Sequence, residues 1–202
     1  MPWRNGRGTT LEIAREPATG ERFIWRLSLA DIAADGAFSL YPGYSRALVL
    51  IDGIELRLRF RGHGGSLLTP AKRATRFEGA WQTRCAVPQG RCTDLSLIVL
   101  NGTAARPGAI VRAPKVLPVN STRRVALPAG LYAAVFVLEG AVAVSTAGRA
   151  RVATLHGRDT LLWRPGPLRT QLLRNLGQSP ARLVVLCWSP RPYDRNSPTH
   201  VP

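Results

Sequence analysis

The sequence predicts an all-β protein of two similar lobes, and three observations lead there. Short runs with period-2 alternation recur along the chain. Gly and Pro punctuate them, with 19 Gly and 16 Pro in 202 residues, and almost no stretch shows the 3.6-residue period of an amphipathic helix. The third observation is repetition. AVFVLEG at residues 134–140 matches ALVLIDG at residues 47–53 in residue class at every position. Many short strands separated by turn residues select a sandwich or barrel.

In chain order, residues 9–14 read as an edge strand and Pro17 with Gly20 as a turn. A strand from Trp25 follows, with Trp25, Leu27 and Leu29 on one face and Arg26 and Ser28 on the other, so one face should be packed and one polar. Asp35-Gly36 and Pro42-Gly43 supply turns. Residues 47–51 are apolar throughout, which predicts a strand buried on both faces, ending at the hairpin signal Asp52-Gly53. Leu56, Leu58 and Phe60 then alternate with Arg57 and Arg59 in a half-buried strand. The Gly-rich turn at residues 62–65, a short strand at 67–70 and the segment 76–79 lead to a hairpin. That hairpin would set Cys85 opposite Cys92 around Val87-Pro88-Gln89-Gly90. Residues 95–100 close the first lobe.

Residues 101–120 read as a connector with one strand at 109–112. Beyond it the logic repeats: residues 157–163 answer 65–70, and 183–188 answer 95–100. Residues 29–34 and 70–74 are the two places where a helical turn would fit, and both are too short to stand alone. The expected division is a ligand-carrying lobe over residues 1–105, a second lobe over 106–188, and a Pro-rich tail over 189–202.

Composition bounds the function classes. The formal charge is +16, which ordinarily points to a polyanion. Here nearly all of it is Arg, with two lysines, and the arginines are scattered singly along strands instead of clustered on a helix. Nucleic acid is therefore not the expected partner. An asymmetry persists, with 14 basic and 3 acidic side chains after residue 100 against 14 and 9 before it. No apolar run approaches the roughly 20 residues that span a bilayer. The opening residues lack the apolar stretch of a secretory signal, so a cytoplasmic protein without a membrane partner is expected. In that compartment Cys85, Cys92 and Cys187 should be reduced.

Several pieces together resemble the HutD/Ves family: Met1-Pro2-Trp3, Asn5-Gly6, Gly8, Thr10, Glu12-Ile13, Trp25-Arg26-Leu27-Ser28, Asp35-Gly36, Phe38-Ser39, Pro42-Gly43, Arg46, Phe77, Gly79 and Asp94. They cover roughly the first half of the chain. The resemblance implies a two-lobed cupin, or bicupin, of jelly-roll type, associated with histidine utilisation and binding an intermediate of histidine breakdown. Arg7 and Leu11 depart from the family pattern, as do Ser96, Ile98 and Leu100, which stand where it has Asn, Met and Arg.

The chemistry-bearing residues narrow the reading further. Metal-binding cupins use a His-x-His pair, a Glu and a distant His, whereas His63, His156 and His200 are isolated, so no metal or other cofactor is expected. There is no nucleophile elbow, phosphate loop or dinucleotide fingerprint. What stands out is a polar set on the first lobe: Asn5, Gly6, Arg26, Ser28, Ser39, Arg46 and Asp94, with Trp3, Trp25 and Phe38 as apolar walls. Arg is the side chain best shaped to grip a carboxylate through paired hydrogen bonds. The expectation is a monomer or homodimer that binds a small carboxylate without catalysis. Two other classes remain open: a metal-independent isomerase or hydrolase using Asp94 or Glu12, and a nucleic-acid-binding regulator using the basic second lobe. Arg26 could instead be a structural ion-pair partner of Asp94 or Glu12.

Overall fold

The computed structural model describes residues 8–17, 19–20, 22–101, 110–146 and 151–189. All regular elements among them are strands. The first lobe holds β1 (Gly8–Glu16), β2 (Trp25–Ile32), β3 (Gly36–Ala37), β4 (Tyr44–Asp52), β5 (Leu56–Phe60), β6 (Gly64–Leu68), β7 (Ala74–Glu78), β8 (Thr83–Ala86) and β9 (Cys92–Leu100). The second holds β10 (Ile110–Val111), β11 (Lys115–Val119), β12 (Thr122–Leu127), β13 (Tyr132–Glu139), β14 (Ala141–Thr146), β15 (Arg151–His156), β16 (Thr160–Trp163), β17 (Arg169–Asn175) and β18 (Ala181–Ser189).

Each lobe is a sandwich of two antiparallel sheets, and the strand orders correspond. The inner sheets run β1-β2-β9-β4-β7 and β10-β18-β13-β16, with β11 also on β18; the outer sheets run β3-β8-β5-β6 and β12-β17-β14-β15. Registers agree in detail. Asp52 pairs with Thr93 just past a register shift in β4, and Glu139 pairs with Arg182 just past the same kind of shift in β13. Gly53 and Gly140 follow at φ 104° and 82°. A Cβ on Gly53 would sit 2.6 Å from Cys92 Cβ, and one on Gly140 would sit 3.1 Å from Ala181, at the start of β9 and β18 respectively. Glycine is needed at both turns for conformation and for closeness.

The inner sheets are buried on both faces, which explains their apolar strands. On β4, Ala47, Val49 and Ile51 enter a core shared between the lobes, while Leu48 and Leu50 enter the first lobe's interior. On β13, Ala134, Phe136 and Leu138 enter the shared core, while Ala133, Val135 and Val137 enter the second lobe's interior. Trp25, Tyr132 and Trp188 seal the shared core, with ring centroids 5.1 to 5.6 Å apart. Glu16 ties the lobes at this edge. It accepts hydrogen bonds from the Tyr132 hydroxyl at 2.7 Å and the Trp25 indole at 3.2 Å.

Several expectations are corrected. Cys85 and Cys92 do not face each other in a hairpin, because β8 joins the outer sheet and β9 the inner one; both are buried free thiols. Residues 157–163 do not answer 65–70, since β16 sits on β13 as β7 sits on β4. The answering of 95–100 by 183–188 is off by one residue: Leu183 is the counterpart of Asp94, because Val137 pairs with Leu183 as Leu50 pairs with Asp94. Residues 29–32 extend β2, and no helical turn forms there or at 70–74. The polar face of β2 that carries Arg26 and Ser28 lines the first lobe's interior, and Ser28 is buried.

Phe136 sits fully buried in the core that both lobes share. Phe136→Ala should cost about 3 to 5 kcal/mol, read as a lowered urea midpoint. A loss below about 1 kcal/mol would mean that the shared core does not bear on stability.

Candidate functional site

Five of the six buried polar or charged residues among those described, Ser28, Arg46, Thr83, Asp94 and Ser96, belong to the first lobe, and Gln171 belongs to the second. The lining face of the first lobe's interior takes every second residue of three strands: Arg26, Ser28, Ala30 and Ile32 on β2, Arg46, Leu48 and Leu50 on β4, and Cys92, Asp94, Ser96 and Ile98 on β9. The register stacks them in rungs. Ile98 lies between Arg26 and Arg46, Ser96 between Ser28 and Leu48, and Asp94 between Ala30 and Leu50. Arg46, Asp94, Ser28 and Ser96 are buried, Asp94 at 1% exposure.

The second lobe serves as an internal control. Carried across by register, Arg46 corresponds to Ala133, Asp94 to Leu183 and Ser96 to Val185, all within an apolar core. The polar triad therefore belongs to the first lobe and is not a requirement of the architecture.

Arg46 is held by aromatic faces and not by a carboxylate. Its guanidinium carbon lies 5.1 Å from the Phe38 ring, 5.0 Å from Phe77 and 5.6 Å from Tyr41, within the range of cation–π attraction. Its Nη1 donates to the Ser39 carbonyl at 3.4 Å. Arg26 is half-buried, donates from Nη2 to the Tyr41 hydroxyl at 2.8 Å and lies 4.9 Å over Phe23. Burial pulls Arg46 down to about 10 while Asp94 opposes the shift, so it stays cationic at neutral pH. Burial pushes the Asp94 carboxyl up from 3.8 to about 7, with Arg46 pulling it back. Each side chain thus feels the other's charge. Even so, Arg26 Nε, Arg46 Nε, Asp94 Oδ1 and Ser96 Oγ are buried without a hydrogen-bond partner among the described residues. Buried polar atoms are normally satisfied, and four of the eight such atoms without a partner among the described residues fall in this one interior, which makes it the candidate site.

The sequence-derived residues divide accordingly. Arg26, Ser28, Arg46 and Asp94 converge in the interior, and Phe38 packs on Arg46. Ser39 contributes its carbonyl, its side chain being exposed. Trp25 is a correction: it points into the shared core on the opposite side of β2, as alternation with Arg26 requires. Trp3, Asn5 and Gly6 lie outside the described residues. Glu12 is exposed on β1, 3.9 Å from Arg15, and Arg26 makes no ion pair among the described residues, so it is not the structural partner of Asp94 or Glu12. Ser96, Tyr41 and Phe77 were missed. Ser96 was visible, because Asp94 and Ser96 alternate with Leu95 and Leu97.

A metal centre does not fit this interior. Asp94 is its one carboxylate among the described residues, and His63 is exposed and stacked on Trp81 at 4.2 Å. Among the described residues no group of three or more His, Cys, Asp or Glu is placed to hold an ion. A separate cleft of about 350 Å³ includes Asp31, Asp52, Arg91 and Arg158 in its lining. There Arg91 already lies 3.6 Å from Asp31, and solvent weakens such pairs.

The HutD family model matches residues 1–179. The chain belongs to the HutD family, which is associated with histidine utilisation. A Pseudomonas putida relative, described as an uncharacterized 21.2 kDa protein in the hutC 3′ region, is 40% identical over 99 residues. That match covers 48% of this chain and 52% of the relative, so the chain spans about half the length of the curated relative it matches. A conserved protein of unknown function from Pseudomonas aeruginosa PAO1 is 29% identical, with TM-score 0.81 over 94% of this chain and 93% of that one. HutD from Pseudomonas fluorescens SBW25, solved in a formate condition, is 28% identical, with TM-score 0.69 over 93% and 91%. A cupin 2 conserved barrel domain protein from Leptotrichia buccalis, 8% identical with TM-score 0.55 over 90% and 89%, shares the fold. The two-lobed cupin architecture follows. Among the described residues no helix is long and apolar enough to cross a membrane.

The raised Asp94 value gives a stability signature. With the folded-state value above the unfolded one, the protonated carboxyl favours the folded protein; that contribution is complete below about pH 4 and is lost as pH rises through about 7. At about 1.4 kcal/mol per pH unit, wild-type stability should fall from about pH 5 to pH 8 by roughly 3 kcal/mol more than that of Asp94→Asn. Urea titrations at several pH values measure this. Parallel curves for the two proteins would show that burial does not raise the Asp94 carboxyl.

Proposed function

We propose that this HutD-family cupin is a non-catalytic protein that binds a small carboxylate metabolite, an intermediate of histidine degradation, in the first lobe's interior as a sensor or regulator. The observation that carries the reading is the buried Arg46 guanidinium, beside half-buried Arg26, with an Nε on each side chain lacking a partner. Guanidinium groups suit a carboxylate because their donors match its two oxygens. The aromatic rings around Arg46 hold it in place without consuming its charge, as a carboxylate partner would. The family association supplies the pathway.

An enzymatic reading draws on one observation. A buried carboxyl shifted to about 7 suits general acid–base work at neutral pH. Loss of the metabolite's own signals during incubation, followed by NMR, would favour that class.

The test is a thermal-shift panel of histidine-pathway intermediates and other small carboxylates. A ligand at about 100 times its Kd should stabilise the protein by roughly 2.7 kcal/mol. Arg46→Met keeps the apolar stem and should fold at least as well as wild type, since it removes a buried charge without a contacting counter-ion. Its affinity for the same carboxylate should fall on the order of 10- to 150-fold, the worth of a charged hydrogen-bonded pair. No stabilisation by any carboxylate, or equal binding by the variant, would sink the reading.

A further inference from the structure

Beyond the Arg46 end, the same interior carries a second group of atoms without partners, and it differs in kind. Asp94 Oδ1 and Ser96 Oγ lie on consecutive inward positions of β9. Asp94 is four residues along the strand from Ile98, the rung shared by Arg26 and Arg46. At about 3.4 Å per residue the backbone separation is roughly 14 Å. The one rung between them carries Ser28, Ser96 and Leu48. Cationic donors therefore stand at one end and a carboxyl at the other, with the Ser96 hydroxyl one rung from each and beside Asp94 on the same strand face.

We propose that Asp94 and Ser96 form a subsite for a positively charged nitrogen, so that the ligand class is a short carboxylate bearing an ammonium or amidinium group at its far end. This rests on the carboxylate reading of the Arg46 end and specifies what lies opposite. An ionised carboxylate is acceptor-only and the hydroxyl accepts as well as donates, so together they suit a group with several N–H donors. A second carboxylate would bring like charge against Asp94, and an alkyl end would leave Oδ1 buried and unsatisfied. A zwitterionic ligand instead meets opposite charge at both ends. The charges facing Asp94 are Arg46 on β4, which favours its ionised form, and the buried thiols Cys92 on β9 and Cys85 on β8, which are uncharged at neutral pH because burial raises both, Cys92 to about 12. None of these donates a hydrogen bond to Asp94 Oδ1, the role that a ligand N–H would fill.

The experiment compares three five-carbon probes on the full-length protein by calorimetric titration: pentanoate, 5-aminopentanoate and pentanedioate. Wild type should bind 5-aminopentanoate at least about tenfold tighter than the other two, and Asp94→Asn should lose that preference. Pentanoate or pentanedioate equalling the amine on wild type would overturn the proposal whatever the variant does, as would a preference that persists in Asp94→Asn. Pentanoate binding that Arg46→Met abolishes, with no gain from the amine, would sink this inference and leave the carboxylate reading standing. Failure of all three probes on wild type would overturn both.

Discussion

The back-to-back packing of the two inner sheets is the constraint from which the rest follows. Phe136, Trp188, Leu97 and Val49 meet in a core that belongs to neither lobe. At roughly 25 cal/mol per Å² of apolar surface, burial on this scale is the main source of stability in a protein without disulfides among its described cysteines. It also sets the parity of every inner strand. Once Ala47, Val49 and Ile51 face the shared core, Arg46, Leu48 and Leu50 must face the lobe interior. The position of the candidate site is thus a consequence of which residues bind the lobes together.

That parity explains what the sequence made legible. The apolar runs at 47–51 and 134–138 announced strands buried on both faces, and their match announced two lobes of one plan, because both signals come from local pattern. The Arg26–Ser28 face was also readable, since alternation with Trp25 and Leu27 fixes it. What could not be read was which buried side each face met. Trp25 and Arg26 do not wall one pocket, because alternation along β2 places them on opposite faces and the Trp25 face meets the shared core. The one-residue slip between 95–100 and 183–188 has the same origin. Both runs are apolar enough to hide their register, and a shift of one exchanges the faces. The Cys85–Cys92 hairpin failed for a different reason: a tight turn in sequence does not reveal that the chain crosses from outer to inner sheet.

The interior polar set is costly by the standards of the rest of the molecule. Burying a charge without a contacting partner ordinarily costs several kcal/mol, and the second lobe shows the cheaper solution in Ala133, Leu183 and Val185. The aromatic cage of Phe38, Phe77 and Tyr41 offsets part of this for Arg46 through its quadrupoles. Asp94 has no such cage, and its upward shift is the same cost expressed as proton affinity. Side chains that destabilise their own lobe, while the matching lobe does without them, fit a trade of stability for function.

The second lobe, lacking that polar set, still has a part in the site. Were the first lobe isolated, Trp25, Leu27, Leu29, Val49, Leu95, Leu97 and Val99 would all face water from one sheet, an apolar surface of the kind that soluble monomers do not sustain. The sheet would have to twist or re-pair to hide it, and the rungs that set Arg46 and Asp94 at their separation are rungs of that same sheet. Glu16, accepting from Tyr132 of one lobe and Trp25 of the other, fixes the edge nearest Arg26, one residue from Trp25 on β2. The second lobe therefore acts on the candidate site as a backing: it contributes no side chain to the polar set, and it packs against the sheet whose opposite face carries that set.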